Sequence, residues 1–128
     1  MIINKMSEEQ IKKELRKRIA VDIDGTLTEK GKFPDIFKTT PEDLLKSYKE
    51  VTPNKFMIDW VNKMYDKGYV IFLFTSRSDL FQSHLKEWLK ENHVKYHYYI
   101  MGKPYYDMIV DDKAIRPDEI EVWENTLK

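Results

Sequence analysis

The stretch Val21-Asp22-Ile23-Asp24-Gly25-Thr26-Leu27-Thr28 decides how the chain is expected to fold. It closes a run of mostly β-branched residues, Ile19 to Ile23, which favours a buried strand. The pair Asp24-Gly25 ends that run abruptly, as a turn does. Two carboxylates one residue apart therefore stand at the end of a predicted strand. A simple turn would also explain them, so the rest of the chain must decide their role.

Helix signals follow this strand at several places. Thr40-Pro41 and Thr52-Pro53 each combine a capping threonine with a proline in the first helical turn. The second of these helices is expected to end at Gly68, and another to begin at the capping residue Ser78. The residues expected on the buried faces of these two helices are Phe56, Trp60, Val61, Met64, Phe81, Leu85, Trp88 and Leu89.

Three further strands are predicted at Tyr69–Phe74, Tyr96–Ile100 and Met108–Val110. Strands that alternate with helices imply βαβ units and a mainly parallel sheet. The predicted fold class is therefore α/β, a three-layer sandwich with a Rossmann-like sheet and helices on both faces. Residues 1–17 read as a helical extension with a capping box at Ser7 and Gln10, and could serve dimerisation. Residues 18–128 form the single predicted domain.

Polar residues gather where the predicted strands end. Ligands of open parallel sheets bind beyond the carboxyl ends of the strands, so these residues are expected to lie together. Four carboxylates in one place would raise each other's pKa, and a divalent cation with oxygen ligands, usually magnesium, would relieve that repulsion. The residues concerned are Asp22, Asp24, Gly25, Thr26, Thr75, Ser76, Arg77, Lys103, Asp111 and Asp112.

Composition excludes several classes of function. The chain has no cysteine, which rules out disulfides, thiolate metal sites and cysteine nucleophiles. Lys plus Arg and Asp plus Glu number 22 each, and this balance argues against a nucleic-acid partner. No apolar run approaches the roughly 20 residues that span a bilayer, and no signal peptide is visible. We expect a cytoplasmic protein with no membrane partner.

The motifs resemble those of the haloacid-dehalogenase-like (HAD) phosphatase superfamily, in order along residues 18 to 116. Val21 to Thr28 looks like the first motif, Thr75 matches the second, Lys103 the third and Asp111-Asp112 the fourth. A narrower resemblance links the chain to small phosphatase-like proteins of capsular and surface-sugar biosynthesis. It rests on the segments Phe74 to Arg77, Gly102 to Asp107 and Val110 to Ile115.

This resemblance implies a role for each residue. Asp22 would be the nucleophile that forms an aspartyl-phosphate, and Asp24 the general acid and base. Lys103 would neutralise charge on the nucleophile and on the transferring phosphoryl group. Magnesium would be held by the Asp22 side chain, the backbone carbonyl of Asp24 and Asp111, with Asp112 in support. The phosphate oxygens would be bound by Thr75, Ser76, Gly25 and Lys103.

The function that follows is a magnesium-dependent phosphomonoester hydrolase acting on a small phosphorylated metabolite, with a sugar phosphate as the first choice. A nucleic-acid end (3′-) phosphatase or nucleotidase is the enzymatic alternative. A non-catalytic phosphate- or metal-binding regulatory protein is the alternative of another class. The segment between Gly25 and Thr75 is too short for a large cap domain, so the site is expected to be open unless an oligomer partner covers it.

Some side chains stay undecided at this level. Arg77 could bind substrate or pair with Asp79, and Thr26 could bind phosphate or only stabilise its turn. The three histidines share no metal-ligand spacing and read as structural. The tyrosines of the C-terminal half read as packing or as the lining of a substrate pocket. These residues are His84, His93, His97, Tyr96, Tyr98, Tyr99, Tyr105 and Tyr106.

Overall fold

A computed structural model describes residue 7 and residues 17–31 and 38–126 of the chain. The predicted N-terminal helix therefore lies outside the described residues except at its two ends. The elements in order are β1 (Arg18–Asp22), α1 (Pro41–Lys49), α2 (Lys55–Asp66), β2 (Val70–Phe74), a 3-10 turn (Asp79–Phe81), α3 (Gln82–Glu91), β3 (Tyr98–Ile100) and α4 (Pro117–Thr126).

The three strands form one parallel sheet in the order β1-β2-β3. The register places Asp22 beside Phe74 and Phe74 beside Ile100, so all three strands end at the same edge. Consecutive parallel strands need a crossover, and α2 and α3 supply it. The predicted α/β class, the parallel Rossmann-like sheet and the lack of a large cap are confirmed.

The two faces of the sheet differ in how well they are covered. Val21, Ile71 and Leu73 share one face and are buried in a single core cluster with residues of α2, α3 and α4. Residues of the opposite parity, such as Ala20, Tyr98 and Ile100, are exposed. The side chains of α2 and α3 in the core cluster are Met57, Ile58, Val61, Met64, Leu85, Trp88 and Leu89.

α1 begins at its predicted capping residue, whereas α2 begins two residues later than predicted. The Thr40 hydroxyl caps α1 by accepting from the backbone N–H of Asp43. For α2 the cap is Asn54, whose side chain accepts from Met57 N–H, and not Thr52 as the sequence suggested. Thr52 instead accepts a backbone hydrogen bond from Glu29. None of the described helices is both long and apolar enough to cross a membrane.

Two further elements begin or end close to their predicted positions. α2 stops at Asp66, just before Gly68. Ser78 caps the 3-10 turn, and α3 continues from that turn with Leu85, Trp88 and Leu89 buried as predicted.

The predicted fourth strand, Met108–Val110, is wrong: the structure assigns no strand there. Met108 is 79% exposed and Val110 is 93% exposed, so the run packs against nothing that would hold it extended. An apolar run forms a strand only where its side chains pack against neighbouring strands or a core, and this run has no such packing. Within the described part of the chain, β1 accordingly pairs on one side only and forms an edge of the sheet.

His93 offers a test of the local backbone at the end of α3. Its φ of +55° is in the left-handed region, directly after the C-cap residue Asn92, where glycine is favoured. We expect His93→Gly to raise the free energy of unfolding by about 0.5–1 kcal/mol in urea titrations. His93→Ala keeps the unfavourable φ and serves as the control. A gain of the same size in both variants would refute the conformational explanation.

Candidate active site

The turn after β1 is held by the backbone of Ile23. Its carbonyl oxygen accepts from the N–H groups of Thr26, Leu27 and Thr28 at 2.9–3.1 Å. Gly25 has φ +82°, which a side chain would disfavour, and its N–H donates to the buried Thr28 hydroxyl. This hydrogen-bonding fixes the backbone on both sides of Asp24.

Asp22 and Lys103 form an ion pair at the carboxyl edge of the sheet. The distance from Lys103 Nζ to Asp22 Oδ1 is 3.0 Å. The Lys103 side chain is 12% exposed and lies over the Phe74 ring, with Nζ 3.9 Å from the ring centroid. The Asp22 side chain is 33% exposed, so a ligand can still reach its carboxylate. The structure thus brings the predicted nucleophile and the predicted lysine together.

Backbone hydrogen bonds bring Lys103 to this position. Thr75 N–H donates to Ile100, and Lys103 N–H donates back to Thr75, which joins the chain beyond β2 to the chain beyond β3. Gly102, with φ +69°, lets the chain turn between Ile100 and Lys103, and its N–H donates to Arg77. Backbone hydrogen bonds at the carboxyl edge of the sheet therefore fix the position of Lys103.

Burial and charge act in opposite directions on Asp22. Burial raises the pKa of Asp22 above its ordinary value of 3.8, and the nearby Asp24 carboxylate raises it further. The Lys103 ammonium, its hydrogen bond and the Ile23 backbone lower that pKa and offset part of the shift. Burial is the largest of these effects, so the folded protein holds Asp22 at a cost in stability.

Asp24 is bound by Arg77, a contact that the sequence did not reveal. Arg77 Nε donates to Asp24 Oδ2 at 3.0 Å and Nη2 donates to Asp24 Oδ1 at 2.6 Å. The suggested pairing of Arg77 with Asp79 is absent from the ion pairs of the described residues. Arginine two residues after a strand-end threonine was the available signal, but nothing in the sequence favoured Asp24 as its partner.

The predicted phosphate-binding residues are only partly free for that task. The Thr75 hydroxyl is buried and accepts from Arg77 N–H at 3.1 Å. Ser76 is half-buried between these two residues. Gly25 N–H is already used by Thr28. The three residues lie on the turns after β1 and β2, at the edge that carries Asp22.

The structure does not bring Asp111 and Asp112 into the site. Both are exposed, and the Asp111 carboxylate accepts from Lys113 N–H in a local turn. Among the described residues, no group of three or more His, Asp or Glu side chains is placed to hold a metal ion. Asp22 and Asp24 each have a cationic partner instead. As arranged, the donor set does not fit magnesium, because the two predicted carboxylates of the fourth motif are elsewhere.

The histidines and tyrosines have mainly structural contacts. His97 Nδ1 accepts from Ile71 N–H beside the strand pairing, and its ring stacks on Tyr65 at 4.7 Å. The Tyr98 ring stacks on Phe72 at 5.3 Å. The Tyr106 hydroxyl lies 3.5 Å from Lys103 Nζ, so this tyrosine contacts a predicted catalytic side chain.

The fold and this edge of the sheet define a HAD-like α/β protein of the phosphatase class. The model of the family described as "PITM 1-3, LNS2 domain" matches residues 19–116, and the chain belongs to this HAD-like phosphatase family. A crystal structure of an MCSG target protein from Vibrio cholerae has a similar fold, with a TM-score of 0.57 and 24% identity over 88% of this chain and 99% of that one. No curated protein matches the chain significantly.

The raised pKa of Asp22 gives a stability test. A raised pKa means that ionised Asp22 lowers the free energy of unfolding at neutral pH, and that this cost disappears as the pH falls toward 3.8. We expect Asp22→Asn to be more stable than wild type at pH 7.5 in EDTA, with the difference shrinking at lower pH in urea titrations. Its amide oxygen can still accept from Lys103.

Asp59→Asn, on the exposed side of α2, is the control for losing one carboxylate. An Asp22→Asn protein that is less stable than wild type at pH 7.5 would contradict the assigned cost.

Proposed function

We propose that the chain is a phosphomonoester hydrolase with Asp22 as its nucleophile. The observation that supports this most directly is the Asp22–Lys103 ion pair, formed between residues 81 positions apart at the carboxyl edge of the sheet. A partly exposed carboxylate beside a largely covered ammonium suits attack on an anionic phosphate, because the cation reduces the repulsion between them. Membership of a HAD-like phosphatase family supports the same reaction class.

In the first step, Asp22 attacks phosphorus, a carboxylate oxygen–phosphorus bond forms, and the bond from phosphorus to the ester oxygen breaks. Asp24 enters this step in its protonated form and gives its proton to the departing oxygen, so the leaving group departs as an alcohol and Asp24 is left as a carboxylate. In the second step, Asp24 takes a proton from water, the water oxygen attacks phosphorus, and the bond to Asp22 breaks. Inorganic phosphate is released and both carboxyl groups return to their starting protonation states.

The remaining residues would bind and orient the phosphate. Lys103 provides a compact positive charge for the transferring phosphoryl group. The Thr75 hydroxyl accepts one hydrogen bond from Arg77 and is buried, so its O–H would reach a phosphate oxygen only if the turn after β2 opened. Ser76 lies beside it. Gly25 can contribute its N–H only if the bond to Thr28 is exchanged.

A small phosphorylated metabolite, a sugar phosphate first, is the substrate class we favour. No large cap covers the site among the residues that the structure describes, and the neutral net charge gives no field that would gather nucleic acid. The narrower likeness to capsular and surface-sugar biosynthesis proteins, carried by the residues around Gly102 and Asp111, is the reason for choosing sugar phosphates. A nucleic-acid end phosphatase and a non-catalytic binding protein are the alternatives that the experiment must separate.

Phosphate release from a panel of esters tests the proposal. The panel contains sugar phosphates, nucleotides, a 3′-phosphorylated oligonucleotide and 4-nitrophenyl phosphate, each with magnesium and with EDTA. We expect release by wild type to fall at least about a thousandfold in Asp22→Asn, because the amide cannot act as the nucleophile. Asp59→Asn should retain wild-type activity.

The pattern of substrates then decides between the alternatives. Faster phosphate release from the oligonucleotide than from the sugar phosphates would show that the substrate is a nucleic-acid end and not a small metabolite. No release from any ester by folded wild type that binds inorganic phosphate would leave the non-catalytic binding protein. Release that survives in Asp22→Asn would remove Asp22 from the mechanism.

A magnesium requirement is part of the proposal on sequence grounds. The motif residues Asp22, Asp24, Asp111 and Asp112 are oxygen donors of the kind that magnesium prefers. Binding would require the exposed segment that carries Asp111 to approach Asp22. We therefore assign no step of the reaction to the metal.

Calorimetric titration with magnesium tests that requirement directly. We expect Asp111→Asn to weaken magnesium binding at least about tenfold, since loss of a supporting carboxylate has effects of that size or larger. Asp107→Asn removes a neighbouring exposed carboxylate and should bind as wild type does. Equal affinities for wild type and Asp111→Asn would exclude Asp111 from the metal site.

A further inference from the structure

Arg77 is a buried charge whose position is fixed from several directions. The residue is 3% exposed, and two of its side-chain nitrogens donate to the two oxygens of Asp24. Its backbone N–H donates to the Thr75 hydroxyl, and its carbonyl accepts from Gly102. A bidentate arginine–carboxylate pair constrains both the distance and the plane of the carboxylate. Arg77 therefore determines where the Asp24 oxygens lie.

An aromatic layer covers the other side of the guanidinium. The Tyr48 ring lies 3.9 Å from the Arg77 carbon Cζ, and Phe81 packs edge-on against Tyr48 at 5.1 Å. Tyr48 is 5% exposed, so this cation–π contact is shielded from water. Burial is the largest effect on the phenol and, together with the Asp24 charge, raises the pKa of Tyr48. Tyr48 belongs to α1, so this helix contributes a side chain to the surroundings of Arg77.

This arrangement argues against the simpler roles for Arg77. A side chain that is 2% exposed does not present its charge to an incoming phosphate, as Lys103 does beside the open Asp22 carboxylate. A purely stabilising pair is also a poor explanation. Arg77 is buried and Asp24 is 22% exposed, and the desolvation of such a pair often cancels the attraction between the two charges, so a well-packed apolar pair would serve stability equally well. What the bidentate geometry supplies is orientation.

We infer that Arg77 is a positioning residue for Asp24, held in place by Tyr48, and that it aligns the Asp24 oxygens with the leaving group. The inference rests on the proposed function, since Asp24 is there the proton donor and acceptor. Arg77 acts through its hydrogen bonds to the Asp24 oxygens and has no contact of its own with the substrate in this proposal. Proton transfer by a positioned group accounts for about 10²–10⁴-fold in rate, and misalignment removes part of that factor.

The dependence of rate on the leaving group tests this role. 4-Nitrophenyl phosphate releases a stable phenolate and needs little protonation, whereas phenyl phosphate has nearly the same shape and needs more. We expect Arg77→Gln to lower kcat/KM for phenyl phosphate at least about tenfold more than for 4-nitrophenyl phosphate. For Arg77→Lys the difference between the two esters should lie between those of Arg77→Gln and wild type, because lysine keeps the positive charge but cannot make the bidentate contact.

Two comparisons separate positioning from a general loss of structure. Lys95→Gln removes the cation of an exposed ion pair with Asp66 and should leave the ratio of the two rates unchanged. Tyr48→Leu should shift the ratio in the same direction as Arg77→Gln, because it frees the guanidinium. In the Asp24→Asn background, Arg77→Gln should change the ratio no further, since the group that it positions is already gone.

A measurement without substrate keeps the inference testable if a variant folds poorly. The urea midpoints of Asp24→Asn, Arg77→Gln and the double variant should be non-additive, with the double variant no less stable than Arg77→Gln. Additive losses would show that the two side chains do not act as a pair.

The kinetic outcomes distinguish the inference from the proposed function. An equal fall in kcat/KM for both esters in Arg77→Gln, with wild type active and dependent on Asp22, would overturn the positioning role and leave the hydrolase standing. Wild type that releases no phosphate from either ester would overturn both.

Discussion

The ion pair between Asp22 and Lys103 is the contact on which the rest of the site depends. A partly buried carboxylate at the end of β1 is costly, and the ammonium 3.0 Å away is its nearest compensation. Without it the carboxylate would be driven toward its neutral form, which is a poor nucleophile. The Phe74 ring beneath Nζ contributes a second attraction that keeps the lysine from swinging into water.

The pair exists because the backbone after β2 and the backbone after β3 are hydrogen-bonded to each other. Thr75 both donates to Ile100 and accepts from Lys103, so the two turns move as one body. The same turn after β2 carries Arg77, which holds Asp24. The two motif aspartates at the end of β1 are thus paired with cations from beyond the other two strands, Asp24 with Arg77 after β2 and Asp22 with Lys103 after β3. The site is a consequence of parallel strand order and not of any single loop.

Local sequence patterns were sufficient to predict elements whose apolar residues follow a regular spacing. The buried run that became β2 and the periodic apolar residues of α3 were predicted from the sequence because burial and spacing appear there directly. The proximity of Asp22 and Lys103 was also predicted, since the carboxyl ends of parallel strands share one edge.

Predictions failed where the partner of a residue had to be known. The apolar triplet Met108–Val110 looks like a strand in isolation, yet a strand exists only if a neighbouring edge accepts it. The guanidinium of Arg77 can pair with any carboxylate within reach, and the sequence shows neither its pairing with Asp24 nor its contact with the Tyr48 ring of α1. Thr52 and Asn54 are both competent caps, and the pairing of the loop after β1 with Thr52 decides between them.

The one-sided pairing of β1, within the described residues, has a consequence for how the protein behaves at different concentrations. An edge strand presents a row of backbone donors and acceptors that any extended segment can join. Pairing of that row with a second molecule is a bimolecular event, so its extent rises with protein concentration, whereas the pairing of β1 with β2 inside one chain does not depend on concentration.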